Sequence, residues 1–353
     1  NEDVMDTLAV RHPICLSILE YRNSTKMINT YLEPNNERAK AAADGRLHPN
    51  IWTVSKTGRK RMNNPNFQNQ PVIKDKELNI RACVVARKGY KLLTCDLSQI
   101  ELRFCAHISR DAEMIAAYTN WQCRKCNSEG VSIKYLKCCP NCGEIANEKT
   151  IKDDKFIGFW HGLDIHQKTA DATGLPRNLS KSTNFAAIYG ASAWKMVQQF
   201  GVHTEDEWAV FIERFFNKYR GVRRWHIEMK ERLNRVGWVK DCFGRVRRIP
   251  KSDIAKSWKH CYNQFLNFPV QSTAHEYLAI CERDFRQKML DLDMWRKDVF
   301  LVNEVHDEVV HEVREEYVEE VAEVINETFR YAVQFSVPVN VDTHITDDWG
   351  QAK

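Results

Sequence analysis

Two aspartates stand at the ends of apolar runs: Asp96 closes YKLLTCD, and Asp307 sits with His306 between VFLVNEV and EVVHEV. Brought together across neighbouring strands, the pair could bind two divalent ions about 3.5 to 4 Å apart, the arrangement that phosphoryl transfer uses. One ion lowers the pKa of an attacking hydroxyl, and the other neutralises charge on the departing phosphate. An Asp in a surface turn is commonplace, so the pair alone decides nothing. A second pattern carries more. In Arg177-Asn-Leu-Ser-Lys181-Ser-Thr-Asn-Phe185-Ala-Ala-Ile-Tyr189-Gly190, a spacing of four puts two cations and then two aromatics on one slowly drifting helix face. Amphipathic helices often give apolar stripes and seldom give this order. It suits a nucleoside triphosphate, with cations at the phosphates and rings facing the sugar and base.

Five of the 12 cysteines lie close together. Cys123-x2-Cys126, then 12 residues, then Cys139-Pro-Asn-Cys142-Gly match a four-thiolate zinc ribbon in ligand type and spacing. Four thiolates complete a tetrahedral Zn²⁺ and leave no open position, so one structural ion is expected. Cys138 is spare or competes with Cys139. The seven others (Cys15, Cys83, Cys95, Cys105, Cys242, Cys261, Cys281) lie mostly in apolar surroundings and read as buried thiols of a reducing compartment.

The elements that must position these groups follow from periodicity. Residues 90–96 read as a buried strand delivering Asp96, and LSQIELRFCAHIS continues with helical spacing. The runs around Asp307 read as a hairpin with Asp307 at its tip. Residues 14–32 suggest one amphipathic helix, ended by Pro34 and the asparagines after it, and 48–71 an irregular, ligand-gripping surface. Residues 164–240 are mostly helical, and REEYVEEVAEVINETFRYAV is a closing helix whose Val and Tyr spacing marks a packed face. With 43% apolar and 28% charged residues in 353, the chain is globular, of two or three units, without an apolar run that spans a membrane. The start, NEDVMDTLAV, has neither Met nor a secretory pattern, so a piece of a longer protein is expected. A net charge of +5 says little, but three basic runs are dense enough to meet phosphates: Lys56, Arg59, Lys60 and Arg61; Arg214 to Arg224; and Arg245, Arg247, Arg248 and Lys251.

The segments Asp96-Leu-Ser-Gln-Ile-Glu-Leu-Arg103, Arg177 to Gly190 and Val305-His-Asp-Glu308 resemble, in order, the three signature motifs of the A-family DNA polymerases of bacterial and phage DNA polymerase I type. LEYRNSTKMINTYL, TGRKRMNNPNFQNQP, DIHQKTA, FGRVRRIP, NFPVQSTAHE and DDWGQAK extend the likeness over nearly the whole chain. The resemblance implies a mixed α+β right-hand polymerase that adds deoxynucleotides to a primer 3′-hydroxyl on a template and releases pyrophosphate.

It also implies roles. Asp96, Asp307 and the Leu97 carbonyl would hold two Mg²⁺, with Glu308 supporting them. Glu101 would reject a 2′-hydroxyl. Gln99, His166, Arg177 and Lys181 would meet the triphosphate, and Lys181 could protonate the leaving pyrophosphate. Phe185 would pack on the incoming nucleoside, and Tyr189 would stand beside the templating base. Arg59, Asn66, Gln68, Asn267 and Gln271 would contact primer-template DNA, where minor-groove acceptors are nearly uniform and pairing geometry can be tested without reading sequence.

By the same comparison, residues 1–33 form the base of a thumb, 34–118 and 242–353 an antiparallel-sheet palm, and 161–241 helical fingers. Residues 119–160 are a zinc-ribbon insertion expected beside the fingers, whose Arg124, Lys125, Lys134 and Lys137 point to DNA or a replication protein; the region upstream is another place for such a partner. Departures from the pattern are Ala186 for a usual Gly, Asn263 for an Arg and Glu304 for a Gln, and the start of the Arg177 helix is rebuilt around Pro176. The rivals are a single-subunit RNA polymerase, which Glu101 opposes, and an inactive zinc-bearing DNA-binding scaffold, which intact Asp96, Lys181 and Asp307 oppose. The expected location is the cytoplasm of a bacterial cell or a phage-infected host.

Overall fold

The computed structural model describes Met5, Leu8 and residues 12–71, 79–145 and 159–352. Helix α1 (Ile14–Lys26) passes through a π-helical segment, Met27–Leu32, into α2 (Glu33–Ala41). The helix expected to end at Pro34 therefore continues past it. In a regular α-helix the proline ring would strike the carbonyl four residues back. Here the wider turn, in which Glu33 N–H donates to the Ile28 carbonyl five residues earlier, absorbs the misfit. Residues 48–71 are less irregular than expected, because β1 (Asn50–Trp52) and β2 (Arg61–Asn63) form a short antiparallel ribbon. Met62 and Phe67 pin this segment to a small core with Leu92, Val310 and Trp349.

Strand β3 (Tyr90–Leu97) is buried on both faces through Leu92, Leu93, Thr94 and Cys95. Helices α3 (Ile100–Ser109) and α4 (Ala112–Thr119) follow it. Next comes a three-stranded unit, β4 (Asn120–Cys123), β5 (Ser128–Val131) and β6 (Phe159–His161), in the order β5-β4-β6. Five helices then run in succession: α5 (Ile165–Thr173), α6 (Arg177–Ile188), α7 (Ala193–Phe200), α8 (Glu205–Lys218) and α9 (Arg220–Arg235). A hairpin of β7 (Trp238–Lys240) and β8 (Val246–Arg248) and the short α10 (Lys251–Lys256) lead into α11 (Trp258–Asp291), a 34-residue helix with Pro269 inside it. The hairpin β9 (Val299–Val305) and β10 (Glu308–Arg314), helix α12 (Val318–Tyr331) and β11 (Val341–Thr346) complete the chain.

The central sheet has the order β11-β3-β10-β9 and is antiparallel throughout. The architecture is α+β, as expected. Helices α3, α11 and α12 bury Phe104, Tyr277, Phe285 and Phe329 against Leu93, Cys95 and Val309 of the sheet. On α12 the buried stripe is Val318, Val321, Ala322, Ile325 and Phe329, whereas Tyr317 and Tyr331, expected in it, are exposed. Five of the scattered thiols are buried, but Cys83 and Cys242 are exposed. No helix among the described residues is long and apolar enough to cross a membrane.

The helical region joins the sheet region through buried Asp111. Its Oδ1 accepts the Met114 amide at 2.9 Å, capping α4, and its Oδ2 accepts the Gly221 amide at 2.6 Å at the start of α9. A Cβ on Gly221 would lie 2.5 Å from Asp111 Cα. Gly221→Ala is therefore expected to cost about 1 to 3 kcal/mol through forced separation of the two helix starts, read as a lower denaturant midpoint.

Candidate active site

Asp96 is placed by the ladder. It stands opposite Glu308 of β10 on one side and Asp342 of β11 on the other. The turn His306–Asp307 links β9 to β10, and its tightness shows in the positive φ of His306, 58°. The Leu97 amide donates to the Asp307 carbonyl at 3.0 Å, so the two aspartates are held at one end of the sheet by backbone bonds. The hairpin tip expected for Asp307 is present.

Beside them opens a cleft of about 430 Å³. The acids Asp96, Glu101 and Asp307 line it with Leu97, Gln99 and Arg59. His166, Lys181 and Phe185 line it from the helical region. Nine of the residues singled out from sequence thus meet in one place. Arg59 donates to Glu101 and, at 3.3 Å, to Asp307 Oδ1; Tyr189 O–H donates to the other Glu101 oxygen. Arg59 reaches this position because Gly58 (φ +84°) passes close over α11, where a Cβ would lie 2.6 Å from the His275 ring.

Burial, together with Glu101 and Asp96, pushes Asp307 up to about 7, against the pull of Arg59. Three acids, Asp96, Glu101 and Asp307, thus share the cleft with two cations, Arg59 and Lys181. The carboxylates of Asp96, Glu101 and Asp307 offer the oxygen donors that suit hard divalent cations. The acids present fit such ions.

His166 is buried, and burial lowers its pKa to about 4, so the ring is neutral. The Asn184 amide nitrogen donates to its Nδ1 at 2.9 Å, which leaves the ring proton on Nε2. Lys181 and Phe185 reach the cleft from one face of α6. Arg177 does not line it: its Nε donates to Asp164 Oδ2 at 2.6 Å, while Asp164 Oδ1 caps α5. Helix α6 starts directly after Pro176, whose carbonyl accepts the Ser180 amide at 2.8 Å. Glu308 is buried, and its Oε1 accepts the Trp349 indole N–H at 2.7 Å.

Of the residues expected at a duplex, Asn66 caps the Gln68 amide and Gln68 donates to the Lys60 carbonyl, both at 3.0 Å, so they shape the Arg59 loop. Asn267 and Gln271 fall one turn apart on α11, below Asn263; Asn263 and Asn267 each have a buried Oδ1 without a hydrogen-bond partner among the described residues. Glu304, another departure, is buried and paired with Lys60. Sequence reasoning missed Tyr118, whose O–H donates to Gln99 Oε1 at 3.2 Å, and Asn184 and Asp164. Only Asp164 carried a signal, as an N-cap residue before a helix.

Cys123, Cys126, Cys139 and Cys142 place their sulfurs within 4.8 Å of one another, with Cys123–Cys142 and Cys126–Cys139 at 3.6 Å. A tetrahedral ion held at ~2.3 Å by four sulfurs spaces them by ~3.8 Å. The group could hold a metal ion. Cys138 is exposed and outside the cluster, which resolves the choice between neighbours in favour of Cys139. Of the basic residues near these ligands, Lys125 is paired with Glu144 at 2.5 Å.

The profile described as DNA polymerase family A matches residues 1–128 and 143–351. The unmatched stretch carries Cys139 and Cys142, so the second cysteine pair falls at an insertion. The chain is 30% identical over 362 residues to the thermostable DNA polymerase I of Thermus aquaticus, covering 99% of this chain and 38% of that protein. It is 28% identical to DNA polymerase I of Lactococcus lactis subsp. lactis (strain IL1403), covering 99% and 36%. The chain thus spans little more than a third of the length of these relatives. Among solved structures, the POL domain of Pol1 from M. smegmatis, in complex with DNA primer-template and dNTP, superposes with a TM-score of 0.79 at 24% identity, covering 100% of this chain and 56% of that one.

Two outcomes are expected here. Because the folded Asp307 has a pKa raised to about 7, the metal-free chain binds an extra proton relative to its unfolded state between roughly pH 4 and 7. Its stability advantage is complete below that window and is lost as pH rises through it. Asp307→Asn should remove this slope, so the variant gains on the parent from pH 4 to 7 in denaturant titrations and the gain levels off above. Separately, Cys139→Ser should lose bound metal in elemental analysis while Cys138→Ser keeps it.

Proposed function

Since the chain belongs to DNA polymerase family A, we propose that it is the nucleotide-adding part of a template-directed DNA polymerase: a primer 3′-hydroxyl attacks the α-phosphate of a deoxynucleoside triphosphate and pyrophosphate leaves. The observation that carries this reading is the convergence of Asp96, Asp307, Lys181, Phe185 and Glu101 on one cleft.

Asp96, Asp307 and the Leu97 carbonyl would hold two Mg²⁺, which when bound activate the hydroxyl and neutralise the leaving phosphate. Neutral His166 donates from Nε2 to a phosphate oxygen, and Lys181 supplies charge and a proton to the departing pyrophosphate. Arg177, held by Asp164, adds positive charge at the start of α6. Phe185 packs against the nucleoside. Glu101, fixed between Arg59 and Tyr189, would exclude a ribose 2′-hydroxyl by its bulk. Arg59, Asn66, Gln68, Asn267 and Gln271 meet the minor groove of primer-template; the buried unpartnered carbonyl of Asn267 supports that role. The thiol cluster takes one structural Zn²⁺, for which its sulfur spacing is suited. Residues 34–118 and 242–353 form the palm, 161–241 the fingers and 1–33 the base of the thumb, and the enzyme works in the cytoplasm.

Primer extension on a defined template tests the reading. The parent chain should extend with deoxynucleotides, and Asp307→Asn should lose at least roughly a thousandfold in rate. Glu101→Ala should raise ribonucleotide use relative to deoxynucleotide use. Extension that survives Asp307→Asn, or equal use of both sugars by the parent chain, refutes the mechanism.

A further inference from the structure

The inserted loop also makes contacts away from its cysteine cluster. Between its cysteine pairs the chain runs from Cys126 to Cys139, and this loop is tied down at several points. The Leu136 amide donates to His161 Nδ1 at 3.1 Å, and His161 Nε2 lies 3.1 Å from the Ser132 carbonyl and 3.3 Å from that of Thr119. The ring of His161 therefore clips the loop to β6. Tyr135, at the loop's outer end, meets the end of α12. Its carbonyl accepts the Tyr331 O–H at 3.2 Å, and the Arg330 guanidinium lies 4.3 Å from its ring centre.

Arg330 in turn donates to the Val341 carbonyl at 3.2 Å. Val341 pairs across the ladder with Leu97, the residue after Asp96, and Asp342 pairs with Asp96 itself. Four contacts thus lead from the inserted loop to the backbone that holds both aspartates: Tyr135 to Arg330, Arg330 to Val341, Val341 to Leu97, and Leu97 to Asp307. The rest of the seam is open, with a cleft of about 500 Å³ lined by Ile133, Leu136, Phe335 and Val337 among others. Among the described residues, Tyr135 joins the inserted loop to the end of α12 by a hydrogen bond and a cation–ring contact.

We infer that the inserted loop is a strut in which Tyr135 is a positioning residue: with the cysteine cluster pinching the ends of the loop, Tyr135 holds Arg330, and through it β11, against the strand that carries Asp96. The consequence for nucleotide addition rests on the polymerase reading above; the mechanical part does not. It also gives the insertion an intramolecular target in place of DNA.

The test combines hydrogen exchange with single-turnover extension on the whole chain. Tyr135→Ala should speed exchange of the Val341–Thr346 amides roughly fivefold to tenfold, the scale of one lost cation–ring contact. It should lower the maximal rate of nucleotide addition severalfold while leaving nucleotide and DNA affinity unchanged. Tyr135→Phe keeps the ring and the carbonyl and should match the parent on every measure. Removing metal with a chelator should reproduce the Tyr135→Ala exchange pattern in the parent chain and add little in the variant, because the two act along one path. Unchanged exchange in Tyr135→Ala overturns the strut, as does weaker, salt-dependent DNA binding with exchange intact. Should the parent chain fail to extend primers at all, the polymerase reading falls, and the exchange result still decides the strut.

Discussion

Arg59 bridges Glu101 and Asp307, and the site depends on that bridge. At one end of the sheet Asp96, Asp307 and Glu101 crowd one cleft, with buried Glu308 across the ladder from Asp96. Like charges this close in a partly buried setting repel one another. Burial first, and then Glu101 and Asp96, push Asp307 up to about 7 even with Arg59 in place. The fold around it serves to fix the cation and the acids relative to one another. Gly58 lets the Arg59 loop pass over α11, Asn66 and Gln68 brace the loop, and Tyr189 holds the far oxygen of Glu101.

The sheet register matters for the same reason. A slip of one residue between β3 and β10 would turn Asp96 toward the apolar side, where Phe104, Tyr277 and Phe285 pack. Those rings, buried against Leu93, Cys95 and Val309, set the register, and the Leu97 amide on the Asp307 carbonyl closes it at the end where the chemistry lies. The hydrophobic core and the acid cluster are two faces of one alignment.

Much of this was legible in the chain itself, for identifiable reasons. Strand β3 reaches Asp96 after four buried residues, one residue before its end, the β9–β10 turn is too short to be anything but a hairpin, and α6 keeps a strict spacing of four between Arg177, Lys181 and Phe185. The cysteine spacing needs only short knuckles to be read. Other elements left no periodic trace. Helix α11 is buried in turn by the helical region and by the sheet, so apolar residues fall on all its sides and no stripe emerges. The helix through Pro34 defied its strongest break signal because a π-helical turn is a tertiary remedy invisible to propensity. The tie between Arg177 and Asp164, which draws Arg177 away from the cleft lining, and the turn of Glu308 toward Trp349 depend on partners far along the chain, and no local pattern encodes them.

The three-stranded unit that carries the cysteines begins and ends in strands paired with each other. Trp121 of β4 faces His161 of β6, and the Gly162 amide donates to the Asn120 carbonyl at 2.8 Å. Its two ends are therefore one ladder rung apart, about 5 Å, and the distance between the end of α4 and the start of α5 does not depend on what lies between them. With the ladder closed at its base, a change in the length of the loop between the cysteine pairs need not alter the spacing of β4 and β6. The contacts of Tyr135 with Tyr331 and Arg330 come on top of that closure, and through them a change in the loop can be felt outside the unit.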